Sequence, residues 1–509
     1  MKPADPSSPG FFSRSSTFLR ITLLVIFLLG LGIRLYDLTD PPLDFHSSRQ
    51  LFSAIIARGI YYKGLDTTPE WQRLQALSAL ADKPVIEPRI FETLVALTYR
   101  IIGQEVLWVA RIYSALFWLI GGVGLYFLAR EMTSPDGGVI AVLFYVFVPF
   151  GALASRSFQP DPLMIMAIIL AWWAFYRWVH HPSWKNAILA GLAAGFAMFV
   201  KSVAVFMLLG GMAALLFSER GVKKNLKDLQ VWVIAGMSAL PVGVFTLYGI
   251  LALGMSSQFK NRFFPEMLVD PAHYVRWANE MFSIVGFSGV ILGLVGTFVF
   301  IKPSQRAFLI GLWGGYVTYG FFFPYHFETH NYYHLPLIPI VALSISPLAE
   351  MVFSQISKLQ LRVGWMVAIM AVLILGVVVQ LWEVRVELAR ADYHHEPAYW
   401  KALGELIGRE KKVVALTQDY GDRIGYYGWV TVENWPDTGL LKLRELGGGG
   451  EITFSDWFAD HTEGADYFLV TRLNELDRQA ELKAYLYRHF ALIAEGDGYV
   501  LFDLNQNTP

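Results

Sequence analysis

Apolar stretches long enough to cross a membrane recur along this chain as far as about residue 382. The first covers about residues 18–35, roughly the length that a bilayer core requires, and we interpret it as a retained helix because no small-residue cleavage site follows it. We expect about eleven transmembrane helices in an α-helical polytopic membrane protein. The other ten are predicted at about 106–129, 137–155, 161–179, 186–200, 202–217, 230–253, 282–301, 307–323, 335–353 and 363–382.

Two parts of the chain depart from this pattern. The loop 37–105 has helix-spaced apolar residues at 49–62 and 87–102, which predict amphipathic helices along the membrane surface. After about residue 383 the chain becomes polar and predicts a small soluble α/β domain. Its predicted strands are 413–417, 467–470, 491–494 and 499–504, and its predicted helices are 399–407 and 475–489.

These patterns divide the chain into three predicted parts. They are a disordered cytoplasmic N-terminus (1–17), a transmembrane domain (18–382) that includes the first outer loop 37–105, and a soluble extracytoplasmic α/β domain (383–509). Composition agrees, since only 16% of the 509 residues are charged, 55% are hydrophobic and the mean hydropathy is +0.43. The net charge of −1 gives no support for nucleic acid binding, and the lack of cysteine excludes disulfides and thiolate chemistry.

Basic residues fall in alternate connections between the apolar stretches, which predicts that those connections are cytoplasmic. The unusual polar residues then collect on the opposite, non-cytoplasmic face, and we expect them to form one site there. We expect an integral protein of a bacterial inner (plasma) membrane with this face and the terminal domain towards the periplasm. The basic residues are Arg14, Arg20, Arg130, Arg177, Lys185, Arg220, Lys223, Lys224, Lys227, Lys302, Arg306, Lys358 and Arg362.

The densest polar segment, 44–50, follows the first apolar stretch. Asp44 is our candidate for a base that takes a proton from an acceptor hydroxyl, although a solvated or helix-capping carboxylate is the simpler alternative. Arg49 offers the forked donors that suit a phosphate, or it pairs with lipid head groups. His46 and Gln50 are candidates for substrate contacts.

Four more charged residues lie at the predicted outer ends of apolar stretches. Glu87 and Asp161 are candidates for a second catalytic acid, but both also suit the first turn of a helix. Arg156 lies in the same short turn as Asp161. Lys201, between two apolar runs, is costly if it faces lipid, so we expect it and Arg156 to hold a lipid-linked phosphate.

The segment 324–336 holds several aromatic residues and three histidines spaced four apart. If the three histidines lie on one helical face with Glu328, they form a candidate metal site. No zinc signature is present, however, and we predict no metal ligands. A sugar or phosphate contact is favoured instead. The candidate residues are His330, Tyr332, Tyr333 and His334.

In the order in which these motifs occur, the chain resembles the polytopic glycosyltransferases of the GT-C superfamily. The resemblance is to the bacterial branch near the protein mannosyltransferases and the lipid A aminoarabinose transferase, and it covers about residues 18–350. Its motifs are Asp44 with 46–50, Glu87-Pro88, 110–116, 156–162, 195–201 and 331–336. Relatives often carry Asp-Glu in the first loop, whereas here Phe45 follows Asp44, so a second acid has to come from elsewhere.

The resemblance implies a polyprenyl-phosphate (undecaprenyl or dolichyl) sugar donor, an inverting single displacement and Asp44 as the base. It implies surface helices over a cavity open to the membrane, and an acceptor that is a glycan, a lipid or a protein. We assign no cofactor, and a divalent cation is left open. The alternatives are a transporter or flippase for lipid-linked glycans, which needs charges near the bilayer midplane, and a non-catalytic glycan-binding scaffold.

Overall fold

A computed structural model describes residues 10–65, 67–256, 263–299, 302–359, 363–446 and 453–507. Most of the chain up to residue 390 is helical. The helices are α1 (Ser16–Arg34), α2 (Ser47–Tyr62), α3 (Glu70–Asp82), α4 (Ile90–Ile102), α5 (Trp108–Met132), α6 (Pro135–Phe147), α7 (Pro149–Ala154), α8 (Asp161–His180), α9 (Trp184–Val200), α10 (Ala204–Arg220), α11 (Val222–Lys227), α12 (Leu229–Ala252), α13 (Pro271–Phe298), α14 (Pro303–Phe322), α15 (Pro324–Thr329), α16 (Leu337–Lys358) and α17 (Val363–Arg390).

The remainder of the chain mixes helices with short strands. Its helices are α18 (Glu396–Ile407), α19 (Thr438–Leu446), α20 (Phe454–His461), α21 (Leu473–Arg478) and α22 (Ala480–His489). Its strands are β1 (Val413–Leu416), β2 (Val432–Asn434), β3 (Tyr467–Val470), β4 (Phe490–Gly496) and β5 (Tyr499–Asn507). The predicted class, a polytopic helical protein with a small C-terminal α/β domain, is confirmed.

Within the described residues, seven helical segments are long and apolar enough to cross a membrane. The prediction of eleven crossings stays a prediction, because several of the remaining apolar helices, such as α6 and α9, are shorter. The seven are Ser16–Arg34, Trp108–Met132, Asp161–His180, Leu229–Ala252, Pro271–Phe298, Asn331–Lys358 and Val363–Arg390.

Two local predictions need correction. The apolar stretch 137–155 is two helices, since Val148 has an extended ψ of 125° and Pro149, which lacks an N–H, starts α7. The segment 1–17 is not wholly disordered: residues 1–9 lie outside the described residues, but Phe11 and Phe12 are buried and donate backbone hydrogen bonds of 2.6 and 2.9 Å to Asp136.

Contacts divide the chain into two compact units. The first, the helical unit, comprises Met1–Leu38, Val85–Phe91 and Trp108–Arg390. The second, the α/β unit, comprises Thr39–Pro84, Glu92–Leu107 and Ala391–Pro509. Most of the first loop therefore belongs with the C-terminal residues, whereas the sequence assigned it to the transmembrane domain.

The α/β unit is built on a five-stranded sheet with the order β2-β1-β3-β5-β4. β1 runs parallel to β2 and β3, whereas β5 runs antiparallel to β3 and β4. Val414 and Phe468 face one hydrophobic cluster with α20 and α22, and Val413 and Leu469 face another with α18. Both faces of the parallel part are therefore covered, as in other sheets of this kind.

Helix α2 is buried within the α/β unit, although the sequence predicted an amphipathic helix at a membrane surface. Eleven of its sixteen residues are buried. Arg58 on this helix donates from Nε to Glu105 Oε2 at 2.9 Å and from Nη1 to the carbonyl of Tyr426 at 2.6 Å. The helix thus packs within the α/β unit and is tied to residues near its C-terminal strands.

Candidate active site

The turn between α7 and α8 presents polar side chains inside the helical unit. Arg156, Gln159 and Asp161 are each at most 1% exposed. The turn is fixed locally, because the Ser157 hydroxyl donates to the Ala154 carbonyl at 2.6 Å and Pro160 and Pro162 flank the first residue of α8. Asp161 is thereby held at the start of a helix, where the helix dipole stabilises its negative charge.

Lys201 lies in the break between α9 and α10 and reaches this turn. Its Nζ donates to Asp161 Oδ1 at 2.9 Å, and both side chains are buried. The ammonium group also lies 5.2 Å from the ring of Tyr332 and 5.5 Å from that of Tyr333, distances that permit cation–π attraction. The structure therefore brings together three parts of the sequence that we predicted to form the site. They are the turn 156–161, Lys201 and the segment 324–336, which we call the aromatic patch.

Polar atoms beside this ion pair are left without hydrogen bonds. Among the residues that the structure describes, Asp161 Oδ2 and both amide atoms of Gln159 are buried and have no hydrogen-bond partner. A buried polar group without a partner costs about 1–3 kcal/mol, so such a cluster calls for a bound group that satisfies it. The arrangement can accept a ligand that both donates and accepts hydrogen bonds.

Further buried arginines converge on the neighbouring residues. Arg156 Nη2 and Arg111 Nη1 donate to the backbone carbonyl of Asp37, at 2.9 and 3.2 Å. Arg34 Nε donates to the hydroxyl of Ser155 at 2.7 Å. Arg34 also donates from Nη1 and Nη2 to the carbonyls of Gly30 and Val146, so it stabilises the helices. Lys201, Arg156 and Arg111 are the three other buried cations, an arrangement that favours an anion such as a phosphate.

The histidines of the aromatic patch have different surroundings. His334 is buried, its Nε2 pairs with the Phe327 carbonyl at 2.9 Å and its Nδ1 with the Tyr316 hydroxyl at 2.5 Å. Both ring nitrogens of His334 are therefore occupied within the structure, and its role in substrate binding stays a prediction. His330 is half-buried, and its Nδ1 lies 2.7 Å from the Thr329 hydroxyl.

A metal site on this segment would need its three histidines on one face of one helix. Instead, α15 ends at Thr329, and Asn331–His334 form a 3-10 turn, so the three histidines do not share a helix.

The first-loop candidates belong to the α/β unit. Gln50 is buried and its Nε2 donates to Asp44 Oδ1 at 3.2 Å and to the Phe45 carbonyl at 2.8 Å. Gln50 therefore holds the loop that carries Asp44, and its role in substrate binding stays a prediction. Asp44 is partly exposed, and its role as a base stays a prediction.

The structure shows where three other candidates lie, and their roles stay predictions. His46 adopts a left-handed conformation with φ 47° before α2, and its ring packs edge-on against Phe45. The Arg49 guanidinium lies 5.5 Å from the ring of Phe52. Glu87 is half-buried in the stretch Val85–Phe91 of the helical unit, just before α4.

Sequence reasoning overlooked Arg111 and Gln159 as site residues. Arg111 interrupts an apolar stretch, and a buried charge in such a stretch is itself a signal of function. Gln159 carries no charge, so only its burial without hydrogen bonds reveals it.

Comparison with known proteins agrees with this architecture. Residues 87–245 match the family model for dolichyl-phosphate-mannose-protein mannosyltransferase. No curated protein matches the chain by sequence. The crystal structure of ArnT from Cupriavidus metallidurans bound to undecaprenyl phosphate is similar, with a TM-score of 0.55 and 14% identity over 96% of this chain and 98% of that chain.

Two larger proteins share the fold. The archaeal oligosaccharyltransferase AglB from Archaeoglobus fulgidus, solved with an inhibitory peptide and a dolichol-phosphate, gives a TM-score of 0.54 and 11% identity over 96% of this chain and 74% of that chain. The arabinofuranosyltransferase AftD from Mycobacteria gives a TM-score of 0.50 and 13% identity over 97% of this chain and 42% of that chain.

The apolar helical segments and the terminal sheet define a class, the polytopic helical membrane proteins with a small C-terminal α/β domain. The family match over residues 87–245 and the structural relatives agree on that class. Residues 87–245 are similar to the dolichyl-phosphate-mannose-protein mannosyltransferase family, and the chain shares the fold of these solved structures.

Proposed function

We propose that this protein transfers a sugar from a polyprenyl-phosphate donor to a hydroxyl group of an acceptor. The observation that carries the proposal is the buried Lys201–Asp161 pair, beside which Asp161 Oδ2 and the Gln159 amide are unsatisfied within the described residues. The related structures support the choice of donor, since ArnT was solved with undecaprenyl phosphate and AglB with a dolichol-phosphate.

The proposed reaction is a single inverting displacement. The acceptor oxygen forms a bond to the anomeric carbon while the bond from that carbon to the phosphate oxygen breaks. The acceptor proton passes to a carboxylate base, the role that the resemblance of the sequence implies for Asp44. The lipid phosphate leaves with one more negative charge than it had in the donor, so cations around it stabilise the transition state more than the ground state.

Lys201 and Arg156 are the proposed phosphate ligands. Lys201 is suited to the role because its ammonium carries three N–H donors and gives one of them to Asp161. Asp161 thus serves as the counterion that keeps Lys201 charged in a buried setting, and Gln159 has an amide to offer to a phosphate oxygen or a sugar hydroxyl. Tyr332 and Tyr333 flank the ammonium and suit the apolar face of a sugar ring.

The proposed site faces away from the cytoplasm. This orientation is supported by the basic residues that cluster in alternate connections, such as Lys223, Lys224 and Lys227 between α10 and α12.

The test is consumption of polyprenyl-phosphate sugars by the purified full-length protein. We expect at least one donor of a panel to be consumed in the presence of membrane lipid or glycan extracts. Asp44→Asn should lower turnover by about 10²–10⁴-fold, the contribution expected of a general base. The matched control is Asp460→Asn, since the Asp460 side chain is 83% exposed, and its turnover should equal that of the wild type.

Two results would contradict the proposal in different ways. Near-normal turnover of a folded Asp44→Asn variant would remove Asp44 as the base and leave the transferase assignment. No consumption of any lipid-linked sugar by the wild type would remove the assignment itself.

A further inference from the structure

A polar cleft of about 340 Å³ lies within the α/β unit, at the carboxyl ends of its parallel strands. Its walls come from the residues that follow β1, β2 and β3, together with Ser48 at the start of α2. In the strand order β2-β1-β3, the chain passes from β1 to one neighbour and then returns to the other, which makes this end a topological switch point. Ligands of open α/β sheets bind at such points.

The floor of the cleft is a closed hydrogen-bond network. The Thr417 and Thr471 hydroxyls, at the ends of β1 and β3, lie 2.6 Å apart, and Thr471 Oγ1 donates to Gln418 Oε1 at 2.5 Å. Both threonines are buried. The network fixes the spacing of the two strand ends and so pre-forms the cleft.

Two ion pairs form the walls. Arg423 Nε donates to Asp419 Oδ2 at 2.5 Å, while Asp419 Oδ1 accepts from the Ser47 hydroxyl at 2.6 Å. On the other wall Arg472 Nη1 donates to Asp437 Oδ2 at 2.6 Å. The walls carry no net positive charge, since Arg423 also pairs with Glu396 at 3.1 Å and Arg472 lies 3.9 Å from Glu475, and each wall offers both donors and acceptors.

The charges and hydrogen-bonding groups on the walls indicate which class of ligand fits the cleft. A phosphate or nucleotide needs net positive charge or a glycine-rich turn after β1, and Asp419 occupies that turn instead. A sugar hydroxyl both donates and accepts hydrogen bonds, so an adjacent pair of hydroxyls matches a carboxylate beside a guanidinium. The walls therefore fit a neutral polyhydroxylated ligand.

Two further features favour a saccharide. Asp419 and Tyr420 are consecutive non-glycine residues at φ 53° and 58°, a strained conformation that holds both on the cleft wall. Tyr420 is 53% exposed, so its ring can pack on the apolar face of a pyranose. Asn434, also on the wall, carries a side-chain amide that can both donate and accept hydrogen bonds.

We propose that this cleft binds a neutral saccharide through its hydroxyl groups, with Asn434, Asp437 and Asp419 as polar contacts and Tyr420 as the stacking surface. The occupant is the glycan portion of the acceptor, and this second step rests on the proposed function.

The test is saccharide binding to the purified full-length protein in detergent, measured by saturation-transfer NMR. The probes are maltotriose, a mannotriose and a galactotriose, with inorganic phosphate and glucose 1-phosphate as anionic comparisons. We expect at least one neutral trisaccharide to bind and neither anion to compete with it. Asn434→Ala should weaken that binding at least about fivefold, the effect of one lost hydrogen bond.

Asn474→Ala is the matched control, because Asn474 is exposed on α21 and lies outside the cleft, and its binding should be unchanged. If Asn434→Ala fails to fold, Asn434→Asp keeps the size of the side chain, removes its donors and gives the same test. Absence of binding by all three trisaccharides, binding that both Asn434 variants leave intact, or stronger binding of the anions would overturn the proposal.

Donor turnover separates the two proposals. Saccharide binding without turnover of any donor would remove the proposed transferase and keep the cleft as a saccharide site. Turnover without saccharide binding would remove the cleft assignment alone.

Discussion

Two buried cations, Lys201 of the helical unit and Arg58 of the α/β unit, show what separates a ligand site from a structural ion pair. Arg58 donates to Glu105 and to the Tyr426 carbonyl, and its guanidinium lies 3.7 Å from the Tyr426 ring and 4.1 Å from the Trp429 ring. Glu105 Oε2 also accepts from the Tyr426 hydroxyl at 3.0 Å. In this cluster the guanidinium has a counterion, a carbonyl acceptor and two aromatic rings, and the carboxylate of Glu105 has two donors.

Lys201 has a counterion too, but its cluster is incomplete. Within the described residues, Asp161 Oδ2 and the Gln159 amide lack hydrogen bonds although they are buried. Burial and charge are therefore similar at the two sites, and the unsatisfied atoms distinguish them. A complete cluster indicates that the cation holds the fold, whereas an incomplete one indicates that something else binds there.

The largest expected effect comes from a double-mutant cycle on Lys201 and Asp161. Lys201→Met leaves Asp161 buried without its counterion and should cost about 3–5 kcal/mol in the free energy of unfolding. It should also lower donor turnover by about 10²–10³-fold, as for the loss of one transition-state cation. Adding Asp161→Leu should restore the stability, because an apolar pair can replace a buried ion pair, but should not restore turnover.

The cycle is measured by denaturant unfolding and donor consumption on the same samples. Lys185→Met, at an exposed lysine next to the start of α9, is the control and should change neither quantity. Recovery of turnover together with stability in the double variant would make Lys201 a structural residue, like Arg58, and would remove the distinction between the two clusters.

Arg58→Ala is expected to have a large effect on stability alone. The variant loses two hydrogen bonds and two ring contacts and leaves Glu105 without its cation. Because the Glu105 side chain keeps 15% exposure, we expect a loss of roughly 2–4 kcal/mol, less than for a fully buried pair. Turnover per folded molecule should stay at the wild-type value.

Arg409→Ala is the matched control for Arg58→Ala. The Arg409 guanidinium also lies over a ring, 3.6 Å from that of Trp71, but the residue is exposed, so its loss should cost about 1 kcal/mol or less. Equal losses in the two variants, measured by thermal unfolding, would show that stacking rather than the complete cluster stabilises the unit.

The sequence predicted the elements that follow from local pattern. The strand at 467–470 has the same bounds in the structure, and the strands predicted at 491–494 and 499–504 lie within β4 and β5. Lys201 was found because a lysine between two apolar runs is costly unless it has a partner. In each case the signal lies within one short stretch of sequence.

The features that were missed depend on residues far apart in sequence. Ser47 and Asp419 hydrogen bond across 372 positions, so nothing near either residue predicts that the first loop joins the terminal domain. Helix α2 was placed at the membrane surface for the same reason. Gln159 was missed because a neutral amide has no pattern, and only packing reveals that it lacks a partner.

The smallest expected effect concerns a third ion pair, Lys83–Asp422 in the α/β unit. This pair is intermediate between the complete cluster of Arg58 and the incomplete cluster of Lys201. Burial raises the pKa of Asp422 to about 6, and Lys83 offsets that rise only in part. Because the folded state then holds a proton that the unfolded state releases, stability should rise as the pH falls from 7 to 5, by about 1 kcal/mol from this group.

Asp422→Asn should abolish that share of the pH dependence, whereas Asp82→Asn, at an exposed neighbour on α3, should keep it. Unfolding measured at pH 5, 6 and 7 decides the matter: identical slopes in wild type and Asp422→Asn would mean that Lys83 satisfies Asp422 as fully as Glu105 satisfies Arg58.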